Sequence, residues 1–312
     1  MIAGGGGYIG GRLVQTLAEE GWDVHAVVRE PTPWLEVEQT VVDLAAEEAP
    51  TVLLSACQGA DTVVHLAGEN EVLAAQRPAE ALAATMVATE RVSEACAAAA
   101  TKRLVYMSTV HVYGARIAPG AVLTEDIRAE PRSAYAISRL ASEHVAAALA
   151  AQAYEFIVFR LTNAVGAPYD PRVDRWTLVA NDLCRQGSLQ GRLELRSSGA
   201  QWRDFVPLTA VCSAIAGASR IDGSVLPPGT YNLGSGQPMT VRALAQMIQD
   251  GFEQETGRRP DLHAPEPEDD PAGPYYVSIE RAAQHGLRVQ GRLDDAVLET
   301  VRFCLDHRAE LG

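Results

Sequence analysis

At 312 residues, with 47% hydrophobic and 21% charged side chains, the chain suits one large α/β core plus a smaller lobe, with the make-up of an ordinary soluble globular protein. A formal charge of −14 excludes a general nucleic-acid or anionic-membrane surface, so an anionic small molecule would need locally placed arginines. The five cysteines (Cys57, Cys96, Cys184, Cys212 and Cys304) show neither disulfide spacing nor a metal-ligand pattern with histidine, which predicts a reduced, cytoplasmic protein without a metal.

Glycines begin at position 4 with no basic or long apolar stretch before them, so no signal peptide is expected. Only Met1, Ile2 and Ala3 precede them, short for a central strand, so either that strand is very short or the natural start lies upstream, the second being the expectation. Short runs rich in β-branched or aromatic residues then read as strands: Val24–Val28, Val41–Val42, Thr62–Leu66, Leu104–Met107 and Phe156–Phe159. Helical patterns lie between them, at Ile9–Glu20, Thr51–Cys57, Ala79–Ala100 and Ser133–Ala151. Such alternation predicts a doubly wound, Rossmann-type parallel sheet covered by helices on both faces. The second half is mixed, with strands near 193–196 and 230–233 and helices near 174–186, 208–219, 240–254 and 292–307. Residues 1–165 are expected to form a dinucleotide-binding domain and 166–312 mainly a mixed α/β substrate lobe, with about 205–235 returning to the first. The stretch 263–273, HAPEPEDDPAG, reads as a loop. The Ala-rich pieces at 95–100 and 145–151 are too short to cross a bilayer.

The turn Gly4-Gly-Gly-Gly7-Tyr8-Ile9-Gly10 follows a strand stub and opens a helix, as a pyrophosphate site requires: a tight turn, close backbone approach and free N–H groups. About 20 residues on, the second strand ends at Arg29, where an Asp or Glu would bind the ribose of NAD and an Arg accommodates the 2′-phosphate of NADP. Arg29 therefore points to NADP(H) over NAD(H), with an exposed strand-end charge as its plain alternative. Asp43-Leu44 is placed to frame the adenine, and Leu66-Ala67-Gly68 ends the fourth strand beside the dinucleotide. Further on stands Tyr135-Ala-Ile-Ser-Arg139. Residues four apart share a helix face, and a cation beside a phenol favours its ionised form. Such a phenol can exchange the proton that accompanies hydride transfer at a carbonyl.

Together these segments resemble the extended short-chain dehydrogenase/reductase family, of the NAD-dependent epimerase/dehydratase type. The similarity runs through the glycine turn, Asp43-Leu44, His65-Leu-Ala67, Met107-Ser-Thr-Val-His-Val-Tyr-Gly114, Tyr135 to Glu143, Arg160-Leu-Thr-Asn163, Gln201-Trp-Arg203-Asp-Phe205 and Tyr231-Asn-Leu-Gly-Ser-Gly236. It implies Tyr135 as acid/base, Thr109 as the hydroxyl that bonds the reacting oxygen, and Arg139 in place of the lysine that holds the nicotinamide ribose. Asn163 and Arg203 fall on substrate-contact positions, Arg203 toward a pyrophosphate, with loop ordering and an Arg203–Asp204 pair as their structural alternatives. His111 is a further substrate-contact candidate, or a structural histidine. A homodimer through the helices near 79–100 and 133–151 is also implied.

Four departures shape the expected activity. Arg139 keeps its charge but does not readily release a proton. Thr85 stands where the family carries Asn, and Val110-His111 where sugar-nucleotide dehydratases carry Asp-Glu, which removes the acid and base of water elimination. The 263–273 loop is acidic, with Glu266, Glu268, Asp269 and Asp270, where nucleotide-sugar epimerases carry a second pyrophosphate-binding Arg. The expectation is an NADP(H)-using 4-ketoreductase of a nucleotide-linked keto sugar. The alternatives are an NAD-retaining nucleotide-sugar 4-epimerase, a reductase of a non-nucleotide ketone, and a catalytically impaired dinucleotide sensor.

Overall fold

A computed structural model describes residues 1–151, 153–266 and 273–312. The first half builds strands β1 (Ile2–Ala3), β2 (His25–Val28), β3 (Glu38–Val41), β4 (Thr62–His65), β5 (Arg103–Thr109) and β6 (Val122–Leu123), then β7 (Glu155–Leu161) and β8 (Asn163–Val165). Its helices are α1 (Tyr8–Glu19), α2 (Ala49–Cys57), α3 (Glu71–Gln76), α4 (Pro78–Ala98) and α5 (Ala134–Ala150). Beyond them lie β9 (Arg192–Glu194), β10 (Trp202–Pro207), β11 (Gly229–Leu233), β12 (Pro238–Thr240), β13 (Asp261–His263) and β14 (Tyr276–Val277). The helices of this half are α6 (Val179–Gln190), α7 (Leu208–Arg220), α8 (Val241–Thr256), α9 (Glu280–Gln284), α10 (Leu293–Asp306) and α11 (Arg308–Leu311).

The main sheet has seven parallel strands in the order β11-β7-β5-β4-β1-β2-β3. Strand order reverses between β1 and β4, which opens a crevice at their carboxyl ends, where open α/β sheets bind ligands. Period-2 alternation divides the buried side chains between two helical layers. Val105 and Met107 join the core beneath α1 and α7, while Leu104 and Tyr106 join the one beneath α2, α4 and α5. Fully burying each such apolar side chain contributes roughly 1.5–3 kcal/mol, so the layers hold the sheet rigid under the crevice.

Local signals set the elements that carry the site. Ser133 caps α5 by accepting from the Ala136 N–H at 3.2 Å, which fixes Tyr135 in the first turn. Asn70 caps α3 and Pro78 opens α4. In the second half, α6, α8 and α10 surround Phe205 of β10 in a separate core. Three small sheets complete the fold: β12-β10-β8, β13-β9 and β14-β6. Asn232 of β11 ties the β14-β6 pair to the main sheet, accepting from the Tyr113 hydroxyl at 2.7 Å and donating to the Leu123 and Ser278 carbonyls.

Several boundaries differ from expectation. β3 covers Glu38–Val41 rather than Val41–Val42, because a half-exposed edge strand needs no apolar run. The helix expected at 174–186 begins at Val179, since Val173 and Trp176 are buried in an irregular approach to it. The loop expected from 263 follows β13, whose last residue is His263; Glu266 is exposed, and Glu268, Asp269 and Asp270 lie outside the described residues.

Candidate active site

The glycine turn is a close-packed joint. Gly4 has φ +88°, and a Cβ there would lie 2.8 Å from the Ala67 nitrogen; a Cβ on Gly10 would lie 2.1 Å from the Gly4 oxygen. Helix α1 therefore sits hard against the turn, with Gly7 as a cap that supplies no side chain and no acid in the first turn. Its opening N–H groups face the crevice without a competing anion, so these residues fit the pyrophosphate of a dinucleotide. Ile9 packs on the main core. The Tyr8 hydroxyl is buried and donates to the Gly166 carbonyl at 2.8 Å, so it is the backbone of Tyr8 that borders the turn.

At the end of β2, Arg29 is exposed and pairs at 3.3 Å with Glu69. Asp43 spends one carboxylate oxygen on the Ala45 N–H, and the Leu44 carbonyl accepts from Arg91 at 2.7 Å. Leu66 and Ala67 hang from the Ala3 carbonyl of β1, which places Gly68 at the rim.

Tyr135 and Arg139 do meet. The guanidinium carbon lies 5.4 Å from the centre of the phenol ring, close enough for cation–π attraction. Arg139 is buried, and its nitrogens stand 3.5 Å from the carbonyls of Ala67, Met107 and Glu69. Gly68 makes room for it, since a Cβ there would lie 2.8 Å from a guanidinium nitrogen. Burial works against the charge on Arg139, but the Tyr106 and Tyr135 oxygens outweigh it and hold the pKa above its usual value. Burial raises the Tyr106 phenol in turn, with Arg139 opposing.

Behind this cation lies His65, fully buried. The Thr89 hydroxyl gives its proton to the Thr85 carbonyl at 2.9 Å and so accepts from His65 Nε2 at 3.0 Å, which assigns the tautomer and leaves Nδ1 bare. Burial first, then the charge of Arg139, pushes this imidazole down to about 3. Thr85, at the position expected for Asn, instead accepts the Glu69 N–H at 3.2 Å.

Thr109 ends β5, buried, and its oxygen accepts the His111 N–H at 3.2 Å, a bond that does not use its hydroxyl proton. His111 presents its ring edge-on to Tyr135, centroids 6.5 Å apart. Its crowded surroundings, then the charge of Arg203, lower its pKa, with Glu71 opposing. Arg203 donates to the Trp202 carbonyl at 2.8 Å. The alternative Arg203–Asp204 pair does not form: Asp204 is turned inward, accepting from Thr162 and the Ser235 N–H. Asn163 donates to the Asp204 carbonyl at 2.8 Å, tying β8 to β10, with its amide oxygen left over. His111 thus stands next to Thr109, Tyr135 and Arg203, and Arg139 links Tyr135 to Ala67 and Gly68 beside the glycine turn. Among the described residues, no cluster of His, Cys, Asp and Glu could hold a metal ion. A depression of about 1190 Å³ opens among Asp23, Asp61, Lys102 and Glu155, at the amino ends of the strands and so away from this chemistry.

Sequence reasoning missed three contributors. Glu69 directly follows the recognised Leu66-Ala67-Gly68, and Glu143 stands one turn beyond Arg139. Tyr106 is hidden in an apolar strand, and its nearness to Arg139 has no signal in spacing.

A family model described as "NAD dependent epimerase/dehydratase family" matches residues 1–234. The chain belongs to that family. Within it, the dTDP-6-deoxy-L-talose 4-dehydrogenase (NAD(P)(+)) of Kitasatospora kifunensis is 34% identical over 256 residues, spanning 79% of this chain and 77% of that one. The GDP-6-deoxy-D-mannose reductase of Pseudomonas aeruginosa is 28% identical over 197 residues, 61% of this chain and 62% of its own. The solved structure of Thermus thermophilus UDP-glucose 4-epimerase in complex with NAD has the same fold, at a TM-score of 0.79 and 23% identity over 97% of each chain. This member of the epimerase/dehydratase family is accordingly an NAD(P)-dependent enzyme of the extended short-chain dehydrogenase/reductase type. Among the described residues no helix is long and apolar enough to cross a membrane.

Proposed function

We propose that the protein is a 4-ketoreductase of a nucleotide-linked keto sugar, with NADP(H) favoured over NAD(H). The observation that carries this reading is the Tyr135–Arg139 pair, 5.4 Å from guanidinium to ring, with His111 between Tyr135 and Thr109. The two named relatives support the substrate class, since both are dehydrogenases or reductases of nucleotide-linked 6-deoxyhexoses. The dinucleotide supplies the hydride when bound. Gly4, Gly7, Gly10 and the backbone of Tyr8 and Ile9 would hold its pyrophosphate, Arg29, Asp43 and Leu44 its adenosine, and Leu66, Ala67, Gly68, Tyr135 and Arg139 its nicotinamide half.

Tyr135 delivers the proton to the carbonyl oxygen, and the Thr109 hydroxyl donates to the same atom, stabilising the charge that develops there. Arg139 does not carry protons here. Its buried guanidinium is a fixed positive charge that holds the Tyr135 ring by cation–π attraction. Arg203 offers a planar fork to a diphosphate, while His111 and the Asn163 amide oxygen face the sugar. In this reading residues 1–165 hold the cofactor and 166–312 mainly the substrate. Five free, buried thiols suit a reducing cytoplasm.

The test supplies nucleotide-linked 4-keto-6-deoxyhexoses with NADPH and follows nucleotide oxidation with product analysis. Steady oxidation is expected, and Tyr135→Phe should lower kcat by about 10²- to 10⁴-fold, the usual worth of a general acid. Undiminished turnover by that variant rejects the mechanism. Interconversion of C4 epimers without net oxidation, with NAD copurifying, would instead identify a 4-epimerase. Dinucleotide binding without turnover of any carbonyl would identify a sensor. The same reading pairs two copies through α4 and α5, whose outer faces leave Leu82, Met86, Ile137 and Leu149 partly exposed. Light scattering should give twice the chain mass, and a monomer at all concentrations removes the pairing.

A further inference from the structure

The order β4-β1-β2 puts the glycine turn of β1 between the strands that lead to Glu69 and Arg29. Their 3.3 Å ion pair therefore crosses the carboxyl end of β1, on the adenosine side of the crevice. Glu69 is not a loose loop charge. Its N–H donates to the Thr85 hydroxyl at 3.2 Å, and its carbonyl faces an Arg139 nitrogen at 3.5 Å. The carboxylate thus projects from a backbone fixed on both sides and is only 20% exposed, whereas the Arg29 side chain is 66% exposed and free to swing.

We propose that Glu69 sets the balance between the two dinucleotides by competing with the 2′-phosphate of NADP for Arg29. This rests on the crevice being a dinucleotide site. A 2′-phosphate carries more charge than one carboxylate and offers the guanidinium a bidentate partner, so it displaces Glu69. It does so at the cost of the existing pair and against repulsion from the carboxylate left close by. NAD has no such group and leaves the pair intact. Arg29 read alone points to NADP(H); Arg29 held by Glu69 makes an enzyme that accepts both.

The test measures equilibrium binding of NADH and NADPH to the full-length protein, by quenching of tryptophan fluorescence, with no sugar present. Glu69→Gln should raise NADPH affinity relative to NADH by about 2- to 5-fold at low salt, the worth of an exposed ion pair. The gain should shrink at high salt. In an Arg29→Gln background, which should itself weaken NADPH and spare NADH, the same substitution should shift the ratio less, because only the repulsion remains to be relieved. An unaltered ratio in Glu69→Gln, or an equal shift with Arg29 absent, overturns the proposal while leaving the dinucleotide reading in place. Binding of neither nucleotide by the wild type removes that reading and this proposal with it.

Discussion

Beneath the crevice, Arg160 and Glu143 meet at 2.7 Å with side chains 9% and 7% exposed; at its rim, Arg29 and Glu69 meet at 3.3 Å, mostly in water on the arginine side. The lower pair belongs to a network. The Ser108 hydroxyl donates to Glu143, and the Arg160 guanidinium lies 5.0 Å from the centre of the Tyr113 ring. It joins α5 and β5, which present Tyr135 and Thr109, to β7, the strand that leads into Asn163. Charges withdrawn from water must stay paired, so this floor holds one geometry and tolerates little. Solvated charges at the rim exchange partners at small cost, which suits a place where ligands are chosen rather than transformed.

Substitutions should separate the two regions by size of effect. Glu143→Gln leaves the Arg160 charge buried without its carboxylate, and unfolding in urea should show a loss of about 3–5 kcal/mol. A loss no larger than that of an exposed pair would mean that water reaches the floor. His65 tests the same region through pH. Its folded pKa of about 3 lies below the ordinary value near 6.5, so the unfolded chain binds the extra proton first. The stability it contributes is complete above about pH 6.5 and falls as pH drops toward 3, by about 2 kcal/mol at pH 5. His65→Gln should lack that part of the decline when stability is followed from pH 7.5 to 5, whatever its own starting value. A parallel decline in both proteins would place the histidine in contact with solvent. Smallest of all should be the change at the rim, a few-fold in nucleotide preference with Glu69→Gln and no measurable shift in folding stability.

The strand–helix alternation, the glycine turn and the Tyr135–Arg139 spacing were all legible in the chain, because each is local: a side-chain period, a turn conformation, one helical turn. The same locality explains what was hidden. β10 and β12 escaped notice because short strands such as Trp202–Pro207 gain stability from distant partners, β8 and Thr240 among them, rather than from their own pattern. Tyr8 belongs by spacing to the glycine turn, yet its hydroxyl is claimed by Gly166, 158 residues away in sequence.

By itself the sequence determined the doubly wound sheet, the glycine turn and the phenol–guanidinium pair, since backbone sterics and helical periodicity act over a few neighbouring residues. Only the tertiary structure decided who else stands beside the two arginines: Tyr106 and Gly68 against Arg139, Glu69 against Arg29. Electrostatic influence depends on distance and burial, and both are set by strands brought side by side from remote parts of the chain.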